Sequence, residues 1–200
     1  MKKSPPGSAD SAEDLNLESS SSSDFSYDLR IPQERVAVLI GKDGETKTLI
    51  EEQTGCKLNI TTDGDVNIAG TDGMRMYTTK EIVKAVARGF NPKTALLLLK
   101  TDYALEIIDL KDVAGKSKNT LERLKGRVIG KGGKSREELE RLTDTYISVY
   151  GKTIGIIGEL NQVVMARQGV AKLLEGAMHT TVYRFLERKK KEQLFGQQPV

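Results

Sequence analysis

Along the chain, two hydrophobic rhythms alternate. Val36, Leu39 and Ile40 sit three and four positions apart, as do Leu121, Leu124 and Val128, the spacing of one buried helix face. Each set runs into a glycine-rich stretch, IGKDG (40–44) or IGKGG (129–133). Second helical patterns follow over residues 45–53 and 134–142. Next come paired alternating stretches, 57–61 with 66–69 and 146–150 with 153–157, joined by TTDGD and YGK. These predict strands connected by tight turns. A long helical pattern closes each half, at 75–88 and from 161 to about 190. DYALEIIDL (102–110) alternates at Tyr103, Leu105 and Ile107 and predicts a strand opening the second half; residues 28–31 are the weaker counterpart in the first. Between the halves, Asn91-Pro92 predicts a helix start, with Asn as cap and Pro at the first helical position. The apolar segment 92–100 that follows is expected in the seam between the halves.

The halves are copies of one another. At an offset of 89, Ile40-Gly41-Lys42-x-Gly44 matches Ile129-Gly130-Lys131-x-Gly133, Glu51 matches Glu140, Thr54 matches Thr143, Leu58 matches Ile147 and Ile60 matches Val149. At an offset of 88, Val66 and Ile68 match Ile154 and Ile156. A repeat of this length makes each copy one folding unit. The expected domains are 27–100, which includes the linking helix, and 101–192, with trailing residues 193–200.

Charge changes the picture. The 200 residues carry a net +3, but residues 1–30 hold three basic against six acidic side chains, which leaves +6 on the rest. A basic body suits a polyanionic partner. Residues 1–26, with the run ESSSSSD (18–24), hold too little apolar surface to offset ordering and are expected to be disordered. Cys56 and His179 are each alone, so neither a disulfide framework nor a cysteine–histidine metal site is expected. No acidic cluster has metal spacing and no nucleophile stands beside a base, so neither cofactor nor catalysis is expected. No apolar run approaches the ~20 residues of a membrane span, and no apolar region follows Lys2 and Lys3. The expectation is a soluble cytoplasmic protein.

The densest chemistry lies at RVIGKGGKSREELERLT (127–143). From Arg123 to Arg136 there are six basic residues and no acidic one. Glycines let backbone N–H groups approach a ligand closely, and a helix starting just after them directs its dipole at an anion. That combination predicts phosphate binding. A nucleotide-binding P-loop is disfavoured by its own spacing, because the required first glycine would fall at Val128 and a helical pattern leads in where a strand is needed. The order strand, helix, GxxG loop, helix, two strands and helix instead resembles the KH domain, carried twice. The implied fold is α+β: two tandem type I KH domains, each a three-stranded sheet packed against three helices. A KH loop clamps about four backbone nucleotides of a single strand.

Four runs, GFNPKTALLLLKTDYALEIIDL (89–110), RLKGRVIGKGGKSREELERLT (123–143), ISVYGKTIGIIG (147–158) and HTTVYRFLERKKKE (179–192), are similar to one family. It comprises the archaeal and eukaryotic tandem-KH small-subunit ribosome assembly factors, partners of the endonuclease that matures the 3′ end of small-subunit ribosomal RNA. The chain's length and short acidic segment favour the archaeal type. The resemblance implies single-stranded RNA binding near that 3′ end without enzymatic activity, contact with the endonuclease and, in archaea, contact with a translation initiation factor subunit. The expected clamp comprises Arg123, Lys125, Arg127, Gly130, Lys131, Gly132, Gly133, Lys134 and Arg136, with Val128, Ile129, Ile147 and Val149 lining an apolar groove for bases. A secondary site is expected at Ile40, Gly41, Lys42, Gly44 and Lys47, weakened by Asp43 inside its loop, so that the first copy is either a weaker clamp or, by preference, a docking scaffold. The run ERKKK (187–191) suits either a solvated helix end or auxiliary phosphate contact. A KH-type subunit of an RNA-degrading machine and a DNA-binding regulator remain the alternative classes.

Overall fold

Each half of the repeat builds a three-stranded antiparallel sheet with helices packed against it. The computed structural model describes residues 25–115 and 117–196. The first unit runs β1 (Phe25–Arg30), α1 (Gln33–Ile40), α2 (Glu45–Thr54), β2 (Lys57–Ile60), β3 (Asp65–Gly70) and α3 (Gly73–Ala87). A short helix, α4 (Pro92–Ala95), leads into a 3-10 turn over Leu96–Leu99. The second unit runs β4 (Tyr103–Asp109), α5 (Lys111–Ala114), α6 (Lys118–Ile129), α7 (Lys134–Thr143), β5 (Tyr146–Tyr150), β6 (Thr153–Glu159), α8 (Leu160–Leu174) and α9 (His179–Gly196). Strand order is β1-β3-β2 in one sheet and β4-β6-β5 in the other. The last strand of each unit is thus central, and its apolar residues Val66, Ile68, Ile154 and Ile156 are at most 1% exposed.

The repeat residues do the same work in both copies. The Glu51 carboxylate accepts the Leu58 N–H at 2.6 Å, and Glu140 accepts the Ile147 N–H at 2.7 Å. Each ties the second helix to the start of the following strand. Thr54 and Thr143 donate their hydroxyls to Ile50 and Leu139 carbonyls at 2.7 Å. These bonds satisfy polar groups that would otherwise be buried unpaired.

Three expectations shift. β1 begins at Phe25 and pairs from Phe25↔Gly70 to Arg30↔Asp65, so residues 25 and 26 belong to the sheet; the rest of the expected disordered segment lies outside the described residues. At the other end α9 continues to Gly196, past the expected boundary at 192, and residues 197–200 lie outside the described ones. The single helix expected from 161 to about 190 is two helices. Gly176 adopts φ +105°, its N–H donates to Leu173 O at 3.1 Å, and the Ala177 N–H donates to Lys172 O at 3.0 Å. That pair of bonds is a Schellman helix stop, which glycine favours. α9 then folds back, burying Val182 and Leu186 completely.

The first unit stops its closing helix in the same way: the Gly89 N–H donates to Val86 O at 3.1 Å and the Phe90 N–H to Ala85 O at 3.2 Å. The linking segment then enters the seam. Ala95 and Leu98 lie in a core that also takes Ile157 of β6 and borders Tyr103 and Leu105. Phe90 lies against Gly155, where any Cβ would fall 2.6 Å from its ring.

Candidate nucleic-acid interface

The loop between α6 and α7 departs from helical geometry at its three glycines. Gly130 has φ 73° and ψ 176°, Gly132 has φ 62° and Gly133 has φ 82°. The glycines do different jobs. A Cβ on Gly130 would stand 2.6 Å from the Ser135 Cβ, so this glycine lets the loop close on α7. Around a Cβ on Gly132 nothing lies within 4 Å, so that backbone faces open space. Ser135 is buried, and its hydroxyl has no hydrogen-bond partner among the described residues. A small residue is what the packing under Gly130 demands.

α7 starts without a side-chain cap. Its positive end is therefore directed at the loop, where an anion is stabilised. Arg123, Lys131 and Lys134 are exposed, and none joins an ion pair among the described residues. One acid stands close: the Glu137 carboxylate lies 3.8 Å from the Cβ position of Gly133. Ile129 is 37% exposed beside the loop, and Val149 is half-buried on β5. Cationic and apolar side chains are thus accessible on α6, the loop, the start of α7 and β5.

Five of the expected site residues make contacts within the protein itself. Val128 is 0% and Ile147 4% exposed; both point into the second core, because three- and four-residue spacing turns Val128 onto the face of Leu121 and Leu124. Arg127 is committed to the fold. Its Nε donates to Leu173 O at 2.8 Å and its Nη2 to Ala177 O at 2.5 Å, which satisfies the Schellman stop of α8. Lys125 pairs with Glu122 at 2.8 Å. Arg136 lies 3.7 Å from Glu140 and is half-buried. Of the ERKKK run, Lys190 bonds Asp144 at 2.6 Å, while Arg188 and Lys189 share Glu192. His179 is structural as well, its Nε2 bonded to the Arg127 carbonyl at 2.8 Å.

One feature escaped the sequence reading. Gly126 sits within α6, exposed, with nothing within 4 Å of its Cβ position. Glycine inside a helix costs roughly 0.5–1 kcal/mol relative to alanine, and no packing here requires it. It leaves bare backbone beside the loop, and the signal was a lone glycine in an otherwise good helical run.

The first loop repeats the second in backbone. Gly41 has φ 77° and ψ 178°, Asp43 has φ 53° and ψ 24°, and Gly44 has φ 82°. Asp43 holds a conformation that glycine holds at position 132 (φ 62°, ψ 25°). Lys42 is exposed, while Ile40, Gly41, Gly44 and Lys47 are half-buried. The two sites thus share geometry and differ in charge.

The domains meet at the edge of the second groove. Ser148 on β5 donates to Arg88 O at 2.9 Å, and the Tyr150 hydroxyl donates to Glu34. The Arg35 guanidinium stands 5.7 Å from the Tyr150 ring centroid. Burial, with the Glu34 carboxylate, pushes the Tyr150 hydroxyl above its ordinary pKa.

Comparison with known proteins matches residues 104–191 to the eukaryotic type KH-domain (KH-domain type I) and residues 26–84 to the KH domain. A KH domain-containing protein of Methanocaldococcus jannaschii is 49% identical over 168 residues, 82% of this chain and 74% of that protein. The pre-rRNA-processing protein PNO1 of Candida albicans is 33% identical over 114 residues, 56% of this chain and 41% of that protein. Among solved structures, a chain of the a/eIF2alpha–aDim2p–rRNA complex from Pyrococcus horikoshii OT3 superposes with a TM-score of 0.79 at 40% identity, covering 84% of this chain and 96% of that one. With both repeat units matched and the archaeal relatives covered along most of their length, the chain belongs to the archaeal Dim2/PNO1-like family of tandem KH-domain proteins.

Proposed function

We propose that this protein is a single-stranded RNA-binding assembly factor acting at the 3′ end of small-subunit ribosomal RNA, with its main clamp at Gly130–Lys134. The observation that carries the reading is the difference between two loops of one geometry: Gly132 leaves its backbone open where the first loop presents the Asp43 carboxylate. A negative group there opposes a phosphate. The first domain is therefore a scaffold that steadies β5 through Glu34, Arg35 and Arg88. Its partners are the small-subunit ribosomal RNA, a translation initiation factor subunit and the endonuclease that trims this RNA. The relative solved with rRNA and a/eIF2alpha supports the first two, and the relative named for pre-rRNA processing supports the setting. The protein acts in the cytoplasm as a binding module that leaves bond cleavage to its partner.

Competition binding tests this. A single-stranded oligonucleotide from the 3′ end of small-subunit RNA is set against an unrelated strand of equal length and against its own duplex. The expected order is target strand, unrelated strand, duplex. Equal affinity for both single strands would refute the 3′-end assignment while sparing the clamp. Preference for the duplex would refute the clamp.

A further inference from the structure

A second cationic feature lies at the far end of α6. A cavity of about 440 Å³ is lined by Lys111, Gly115, Ser117, Lys118, Leu121 and Lys152. The three lysines among its described residues come from three elements, α5, the start of α6 and the turn between β5 and β6. The backbone brings them together: the Leu110 N–H donates to Lys152 O at 2.9 Å, and Leu110 itself is 0% exposed. Ser117 caps α6 by accepting the Thr120 N–H at 3.3 Å. None of the three lysines joins an ion pair among the described residues. Of the nearby acids, Asp109 is turned to the backbone, accepting the Lys111 N–H at 2.9 Å, and Asp112 is exposed on α5. Three like charges gathered around one cavity repel each other until an anion enters.

The cavity and the glycine loop share a helix face. Lys118 and Ile129 are eleven residues apart, three turns of helix, so they point the same way about 16 Å apart. Lys125 lies between them on this stripe, and β5 runs alongside before reaching Lys152. A strand held at the loop and lying along α6 arrives at the lysines beyond the roughly four nucleotides that such a loop clamps.

We propose that the Lys111–Lys118–Lys152 cavity is a phosphate subsite for the same RNA strand, extending the bound length past the loop's own nucleotides. This rests on the clamp reading above. The test uses the full chain and its Lys111→Ala/Lys118→Ala/Lys152→Ala variant, with single-stranded RNAs of about four and about eight nucleotides. Wild type is expected to gain affinity with length, when the strand grows toward the lysines, and the variant to lose that gain. The variant's salt slope on the longer strand should fall by about 0.7 per phosphate no longer neutralised. Equal gains in both proteins would overturn the subsite. Inorganic phosphate is titrated into RNA-free wild type while the Gly115, Lys118 and Lys152 amide resonances are followed. Shifts that do not saturate at millimolar phosphate fit an RNA subsite, and saturable shifts assign the cavity to the free ion and overturn the proposal. Failure of the clamp is told apart by Lys131→Asp/Gly132→Asp: if that variant keeps wild-type binding of the short strand, the clamp falls and this subsite with it.

Discussion

Replacing Lys131 and Gly132 together with aspartate turns the second loop's charge into something harsher than the first loop's. The backbone will accept it. Position 132 has φ 62° and ψ 25°, and an aspartate already holds φ 53° and ψ 24° at position 43. No atom lies within 4 Å of the new Cβ. The remaining cost is that of a non-glycine residue in the left-handed region, about 1–2 kcal/mol. Binding changes far more. The Lys131 reversal shifts the loop by two charge units and the Gly132 change by one. At 4–6 Å from a phosphate in a water-like dielectric, each unit is worth about 0.7–1 kcal/mol. The sum is about 2–3 kcal/mol, or roughly a 30- to 140-fold loss of affinity. The slope of log affinity against log salt should flatten by about 0.7 for each phosphate released. Fluorescence anisotropy with a labelled single strand at several salt concentrations measures both, with circular dichroism to confirm the fold. The matching change at Lys42, in a loop that already carries Asp43, should cost less. A folded double variant that binds like wild type, with an unchanged salt slope, would refute the placement of phosphates at this loop.

Other changes separate fold from binding. Arg127→Ala removes two hydrogen bonds from a charged donor to the Leu173 and Ala177 carbonyls. It should destabilise by about 2–4 kcal/mol in calorimetry, while affinity measured below the melting point stays within about twofold if the arginine holds no phosphate. Val128→Ala opens a cavity in the second core and should cost about 1–3 kcal/mol of stability; Ile129→Ala, on the exposed groove, should leave melting nearly unchanged and weaken RNA binding. Tyr150 carries a raised pKa from burial and from Glu34, so the unfolded chain ionises first as pH rises. Stability should be full below about pH 10, the ordinary tyrosine value, and decline above it, and Tyr150→Phe should remove that part of the alkaline decline in pH-dependent denaturation. An identical alkaline profile for the phenylalanine variant would contradict this assignment.

Much of this architecture was legible because the repeat is made of residues with structural work. Glu51 and Glu140, or Thr54 and Thr143, match at one offset because each makes the same bond in its own unit. Alternation at 66–68 and 154–156 marked the central strands, whose apolar side chains must avoid water. What periodicity could not reveal was the break at Gly176. The hydrophobic positions of α8 and α9 both satisfy helical spacing, and only the chain reversal at one glycine distinguishes two helices from one. Likewise an apolar residue beside a glycine loop reads equally as groove or core. Val128 and Ile129 are neighbours in sequence, yet 0% and 37% exposed, because one residue of helix is a turn of about 100°.

Charge counting could not foresee where Arg127 points, because a cation is as good a ligand for backbone carbonyls as for phosphates. Arg127 donates to the carbonyls of Leu173 and Ala177, and Arg35 makes the equivalent pair in the first unit, to Val86 O at 2.8 Å and Phe90 O at 2.7 Å. In each unit the arginine leaves the helix before the loop and satisfies the Schellman stop of the closing helix. The two arginines occupy different places in the repeat, six and three residues before the first loop glycine, so no offset pairs them. The shared constraint is the carbonyls at the end of a helix, which need donors from whichever turn can reach them. Arg35 also lies against the Tyr150 ring, and its neighbour Glu34 accepts the Tyr150 hydroxyl. Fastening the first unit's own helix stop therefore also positions the contacts that hold β5 of the second unit. A first domain whose loop carries Asp43 still has a strong reason to keep its fold intact: its helix α1 braces β5 of the second unit.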